Sequence, residues 1–213
     1  MRFERKYRVE GRSLASVEQL LRFHPASFQV LYPPRQINNI YFDTQNLATF
    51  HQNIAGQNER KKFRVRWYGE TSGPIQQPQF EIKIKHNELG TKETSQLAKF
   101  DLQDLKETTQ AVNQLLPQRQ GVVIPALLNA YRRSYWISMD GQFRVTIDHA
   151  MRYHSLLMGQ GFHRFLHQDP AIILEVKYEQ ITDERVNFIT QHMPFRQAKH
   201  SKYVQGVLMT IQG

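Results

Sequence analysis

Charged side chains recur at every second position along several stretches of this chain, and most of them are basic. The stretches are Glu4-Arg5-Lys6-Tyr7-Arg8, Lys62-Phe63-Arg64-Val65-Arg66, Glu81-Ile82-Lys83-Ile84-Lys85 and Glu175-Val176-Lys177, joined by Arg133, by Arg144 and by a looser run from Arg196 to Lys202. The residues between the charges are mostly apolar or aromatic. A period of two is the mark of a β-strand, whose successive side chains point to opposite faces. Each strand therefore offers one apolar face and one row of cations with an occasional carboxylate. Rows of that kind brought together would form a positively charged cavity, with acidic residues able to hold a metal. That is a site for a polyanion.

The chain has 213 residues, enough for one sizeable domain. A hydrophobic fraction of 40% is modest, but 13 Phe, 9 Tyr and 2 Trp add the bulk that a core needs. Twenty-eight Lys and Arg against 19 Asp and Glu give a net charge of +9. The balance favours nucleic acid, anionic lipid or phosphorylated small molecules as partners without choosing among them. Cysteine is absent, which excludes a disulfide framework, a thiolate metal site and a thiol nucleophile. The start, MRFERKYRVEG, has no apolar core of a secretory signal, and no run approaches the roughly 20 apolar residues of a membrane span. A soluble, cytoplasmic chain is expected.

The pattern predicts an antiparallel α+β domain, in which strands dominate and several are joined as hairpins. Ser13 caps a helix carrying Leu14, Val17, Leu20 and Leu21 on one face, with Pro25 beyond its end. Residues 37–43 form a strand, and Asp43 or Thr44 caps a short helix closed by Gly56. Residues 62–69 and 80–85 are strands, with turns at 70–78 and 87–90. A helix covers 101–116. Residues 131–138 and 142–149 flank the hairpin signal Met139-Asp140-Gly141. Residues 150–171 hold a strand and then a loop through Gly159 and Gly161. A further strand covers 171–178, Thr182 caps another helix, and the segment from His200 to Ile211 is a helix or a strand. There is no Walker-type phosphate loop and no GxGxxG.

A single basic row on a half-buried sheet ordinarily faces water. Repetition argues otherwise, because like charges in neighbouring rows repel and ordinary surfaces interleave signs. Closing the sheet as a barrel would turn the rows inward, where charge needs hydration or a ligand. Arg grips phosphate oxygens with a planar fork and Lys adds a point charge. The carboxylates need a separate role. A hard cation such as Mg²⁺ or Mn²⁺ would bridge them to phosphate, with Glu4 and Glu175 the leading ligands and Glu81 third. The competing reading for each is an internal salt bridge to a neighbouring Arg or Lys.

Eight short motifs occur in one order along the chain: Glu4-Arg5-Lys6-Tyr7, Ile40-Tyr41-Phe42-Asp43, Arg64-Val65-Arg66-Trp67-Tyr68-Gly69, Phe80-Glu81-Ile82-Lys83, Tyr131-Arg132-Arg133, Arg144-Val145-Thr146-Ile147-Asp148, Leu174-Glu175-Val176-Lys177 and Ser201-Lys202-Tyr203. In that order they resemble the VTC domain, the catalytic domain of the vacuolar transporter chaperone polyphosphate polymerase and its bacterial relatives. That family belongs to the triphosphate tunnel metalloenzymes, with the CYTH-type triphosphatases. The resemblance runs over essentially the whole chain as a single domain, residues 1–213. It implies an antiparallel eight-stranded β-barrel tunnel with helices packed outside.

By motif, the resemblance assigns Lys6, Arg64, Arg66, Lys83, Arg133, Arg144 and Lys202 to the phosphate chain, with Tyr131 and Ser201 as hydroxyl donors. Arg64, Arg66, Arg133 and Arg144 would carry the catalysis, and Glu175 with Glu4 would hold Mn²⁺ or Mg²⁺. The implied reaction is phosphoryl transfer from ATP or another nucleoside triphosphate to polyphosphate, where positioning and charge neutralisation do most of the work. Inorganic triphosphate hydrolysis and polyphosphate binding without turnover are the alternatives. Nucleic acid is not an expected partner. The family usually has another basic residue after the Glu81–Lys83 strand, and here the stretch reads Lys92-Glu93-Thr94-Ser95-Gln96, so either Lys92 replaces it from a shifted register or the position is lost. The fungal polymerases join this domain to a regulatory module and membrane helices, and this sequence carries neither.

Three remaining features carry less. His163 and His167 have metal-ligand spacing but no evident third ligand. Trp67 and Trp136, opposite the charged rows, are core residues rather than base-stacking platforms. Asp148 is placed at a strand end, as a turn cap.

Overall fold

A computed structural model describes residues 2–86, 89–117, 120–157, 162, 164–179 and 184–211. The described residues form β1 (Arg2–Val9), α1 (Leu14–Arg22), β2 (Gln29–Asp43), α2 (Ala48–Ile54), β3 (Glu59–Tyr68), β4 (Gln79–His86), β5 (Leu89–Gln96), α3 (Lys106–Leu115), β6 (Ile124–Ile137), β7 (Arg144–Ser155), β8 (His167–Asp169), β9 (Ile172–Glu179), α4 (Val186–Thr190) and α5 (Lys202–Ile211). Eight strands follow one hydrogen-bonded path, β1-β9-β7-β6-β2-β3-β4-β5, and the three-residue β8 pairs off it with β7. The pairings of β1 with β9, β9 with β7, β2 with β3, β3 with β4 and β4 with β5 are all antiparallel. The eight antiparallel strands expected for a barrel tunnel are this path and β8 makes a ninth strand, but among the described residues the path runs from β1 to β5 without closing.

The chain packs as two compact units. One holds residues 1–35, 131–151 and 169–200, and the other holds 36–130, 152–168 and 201–213. Each has its own apolar core. In the first, alternate residues of β1 (Tyr7, Val9), β7 (Val145, Ile147) and β9 (Leu174, Val176, Tyr178) meet Val17 and Leu21 of α1 and Val186 and Ile189 of α4. In the second, Phe63, Val65 and Trp67 of β3 and Phe80 and Ile82 of β4 pack with Ile40 and Phe42 of β2 and Val112 of α3. Burying a large apolar side chain contributes about 1.5–3 kcal/mol, so these stripes hold the sheet residues in one facing. Trp67 and Trp136 are both buried, as the pattern requires. The alternate residues, which include the basic rows, are thereby committed to the opposite face of each strand.

Helix α1 begins where Ser13 places its side-chain oxygen to accept the Ser16 amide, at 3.2 Å. Asp43 reaches forward to α2: its carboxylate accepts the amides of Thr49 and Phe50, both at 2.9 Å, and the Thr44 hydroxyl accepts that of Ala48 at 3.0 Å. Several boundaries depart from expectation. Strand β2 starts at Gln29 and runs through Pro33 and Pro34, whose fixed φ suits an extended chain even though proline removes a ladder donor. Helix α3 starts at Lys106 rather than 101, and Asp104 accepts the Lys106 amide at 3.0 Å. Leu115 is correspondingly exposed. Strand β7 continues to Ser155, so Asp148 lies inside it and caps no turn. The run from Arg196 to Lys202 is not a charged strand: Gln197 bridges Tyr7, and Lys202 opens α5. The cap expected at Thr182, the turn at Asn87, the loop at Gly159 and Gly161, and His163 lie outside the described residues. His167 opens β8.

Candidate functional site

In the first unit, registers align the charged positions of β1, β9 and β7. Lys6 lies opposite Glu175, which lies opposite Thr146; Glu4 lies opposite Lys177, which lies opposite Arg144. The ammonium of Lys6 bridges two carboxylates, 2.7 Å from Glu4 Oε1 and 3.3 Å from Glu175 Oε1. The second oxygen of Glu175 faces Lys177 Nζ at 3.2 Å and Arg133 Nη2 at 3.7 Å. Arg133 is itself clamped by Asp148, which accepts from its Nε and, at 2.6 Å, from its Nη2. The Arg133 guanidinium also lies 5.4 Å from the centre of the Tyr131 ring.

Glu175 is only 5% exposed and Asp148 is fully buried, so these pairs are shielded from water. Burial works against the charge on Lys6, but the fields of Glu175 and Glu4 outweigh it and raise the ammonium's pKa above its ordinary value. Arg133 behaves likewise, with Asp148 its strongest supporting charge. Sequence reasoning missed Asp148 as a partner. The signal was present: a carboxylate at period two from Arg144 and Thr146, on the face that carries the cations.

In the second unit, β3 and β4 set Lys62 opposite Lys83, Arg64 opposite Glu81 and Arg66 opposite Gln79. Strand β5 then sets Lys92 opposite Lys83 and Thr94 opposite Glu81. Lys62, Lys83 and Lys92 therefore form one row across three strands, with direct neighbours about 5 Å apart at Cβ. The basic row continues into β5, and Lys92 is the residue that continues it. Glu81, 2% exposed, is the hub below that row. It accepts from Arg64 Nε at 2.7 Å, faces Arg66 Nη1 at 3.8 Å, and accepts from Lys92 Nζ at 3.1 Å. Burial would raise the Glu81 pKa, but the charges of Arg64 and Arg66 win and hold it down at about 2. Glu81 is thus the anion of an internal ion cluster.

Two buried asparagines orient Arg66: Asn39 Oδ1 accepts its Nε at 3.0 Å, and the Asn39 amide in turn reaches Asn129 Oδ1 at 3.4 Å. Helix α5 docks on this same face. Tyr203 stacks on Tyr41, which lies opposite Arg64, and donates its hydroxyl proton to Asp43. Burial and then the Asp43 carboxylate push the Tyr203 phenol well above its ordinary range. Ser201, just before α5, accepts from Lys62 Nζ at 3.0 Å, and Lys202 is buried beside it in sequence. The IYFD and SKY motifs, 160 residues apart, are therefore one structural unit that brings Ser201 to the basic row.

Of the residues singled out from sequence, Glu4, Lys6, Arg133, Arg144, Glu175 and Tyr131 belong to the first unit. Arg64, Arg66, Lys83, Ser201 and Lys202 belong to the second. Among the described residues no three His, Cys, Asp or Glu side chains cluster as metal ligands. The donor set nonetheless fits a hard divalent cation. Glu4 and Glu175 converge on one ammonium, and Thr146, opposite Glu175, has a buried hydroxyl with no hydrogen-bond partner. Mg²⁺ and Mn²⁺ are commonly held by one or two carboxylates, with water and substrate phosphate completing the shell.

Two solved structures share this fold. A candidate adenylate cyclase from Vibrio parahaemolyticus matches with a TM-score of 0.55 at 15% identity, covering 96% of this chain and 97% of that one. A candidate adenylate cyclase from Bacillus halodurans matches with a TM-score of 0.56 at 16% identity, covering 96% of each. At these identities the likeness is one of fold. No curated protein matches the sequence. The VTC domain family matches residues 1–211, and the chain belongs to that family.

Proposed function

We propose that this VTC domain transfers the terminal phosphoryl group of ATP to a growing polyphosphate chain with the help of Mn²⁺ or Mg²⁺. The observation that carries the reading is the row Lys62–Lys83–Lys92, three lysines in direct register across adjacent strands. Like charges directly opposite one another destabilise a sheet, and a polyanion laid along the row relieves that repulsion. Lys6, Arg64, Arg66, Lys83, Arg133, Arg144 and Lys202 bind phosphate oxygens, with Tyr131 and Ser201 donating hydroxyl hydrogen bonds. Arg64, Arg66, Arg133 and Arg144 also stabilise the charge that develops on the transferred group. Asp148, Glu81 and Asn39 fix three of those guanidiniums in place beforehand, so little reorganisation is left for the reaction. Glu175 and Glu4 would hold the divalent cation, which would supply neutralisation of phosphate charge. Lys6, held between those two carboxylates, would add its ammonium to the phosphate.

Purified protein given ATP and Mn²⁺ should form long chains that resolve on a polyphosphate gel. Arg66→Ala and Glu175→Gln should each abolish them. Release of orthophosphate from tripolyphosphate, with no chain growth, would replace the polymerase reading by a triphosphatase. Tight binding with no metal-dependent turnover would leave a polyanion-binding module.

A further inference from the structure

The face of β6 that carries Tyr131 and Arg133 carries Tyr135 next, because residues two apart share a face. Tyr135 is half-buried and meets Tyr32 of the neighbouring strand β2 edge-on, with ring centres 5.9 Å apart. The Arg35 guanidinium lies over both rings, 5.7 Å from the centre of Tyr32 and 5.8 Å from that of Tyr135. Tyr32 is 48% exposed, so part of its ring faces solvent. All of these residues lie in the first unit, with Arg133 and Glu175. No apolar core residue is needed to explain them: the core of this unit takes Trp136, on the other face of β6.

We propose that Tyr32, Tyr135 and Arg35 form the subsite for the base of the nucleoside triphosphate, resting on the assignment of phosphate to Arg133. An exposed aromatic face and a planar cation are the two groups on which nucleobases stack. Their place fits the ligand. Arg133 and Tyr135 are two residues apart, about 7 Å along an extended strand. That is comparable to the ribose that separates a base from its first phosphate. Aromatic rings and a guanidinium grip any base by its π-face, so the subsite selects nucleotides over inorganic polyphosphate without choosing strictly among bases. It would therefore serve the donor, while a polyphosphate acceptor needs no such contact.

The test is binding of ATP and of inorganic tripolyphosphate, each measured by calorimetry on the intact protein with Mg²⁺. Tyr32→Leu and Tyr135→Leu should each weaken ATP by about thirtyfold, the middle of the range for loss of one base stack. Tripolyphosphate affinity should stay within about twofold, and Tyr32→Phe, which keeps the ring, should bind ATP as the wild type does. Equal losses for both ligands, or none for ATP, would overturn the subsite. Because binding is read without turnover, the two readings fail separately. A protein that makes no polyphosphate yet loses ATP selectively in these variants keeps the subsite and loses the transferase. A protein that makes polyphosphate and binds ATP unchanged in the variants does the reverse.

Discussion

Glu81 is the buried carboxylate on which Arg64, Arg66 and Lys92 converge. Its place in the alternating row was legible from Glu81-Ile82-Lys83, and so was its membership of the charged face. Its partners were not, because Arg64, Arg66 and Lys92 reach it only through the registers of β3 and β5. Its carboxyl pKa is about 2 against an ordinary 4.5, so the ion cluster stabilises the fold fully above pH 4.5 and loses that contribution as pH falls towards 2. The shift corresponds to about 2 kcal/mol once partial screening is allowed for. Glu81→Gln should therefore lower unfolding stability by about that amount at pH 7 in urea titrations. The gap to wild type should close as the pH is taken from 5 to 2; a gap that stays constant would mean the carboxylate's charge is not what stabilises. Added tripolyphosphate should raise the melting temperature of the variant more than that of wild type, since the ligand replaces the missing anion.

At the scale of elements, α5 is the piece whose type the sequence left open and whose position the tertiary structure fixed. Its two anchors are specific. The Tyr203 hydroxyl binds the fully buried Asp43, and Gly206 lies where an added Cβ would come within 2.5 Å of side-chain atoms of Leu127 and Tyr153. Tyr203→Phe removes one hydrogen bond from a buried carboxylate that keeps its amide partners, a loss of about 1–2 kcal/mol. Gly206→Ala overpacks the contact and should destabilise by about 1–3 kcal/mol. Both are measurable as lower melting temperatures. A Gly206→Ala protein as stable as wild type would show that α5 does not seat this closely. Strand β2 makes the opposite point: its last seven residues match the strand expected at 37–43, while its first eight, which include Pro33 and Pro34, carry no local strand signal.

At the scale of the whole molecule, net charge sets the ionic behaviour. A chain at +9, with cationic rows on both of its compact units, should bind tripolyphosphate in a strongly salt-dependent way. Raising ionic strength from about 0.05 to 0.3 M shortens the screening length from about 14 to 6 Å and should weaken binding by about tenfold or more. An affinity that ignores salt would point to an apolar ligand and away from phosphate. Membership of the VTC domain family rests on a match along residues 1–211, and the likeness of fold extends to two proteins about 15% identical. At that distance an alternating pattern of faces can be kept while individual residues change.

The sequence by itself determined which residues share a strand face. The period of two is local, and burial of the apolar stripe leaves the charged stripe only one side to occupy. It thereby settled the antiparallel class and the basic rows, and the ordered motifs named the family. Which charge meets which partner was decided by tertiary structure alone. Register between strands far apart in the chain places Lys6 between Glu4 and Glu175, Asp148 under Arg133, and Glu81 among three cations. No local pattern encodes that register. It follows from how complete strands pair and from how each core fills behind them.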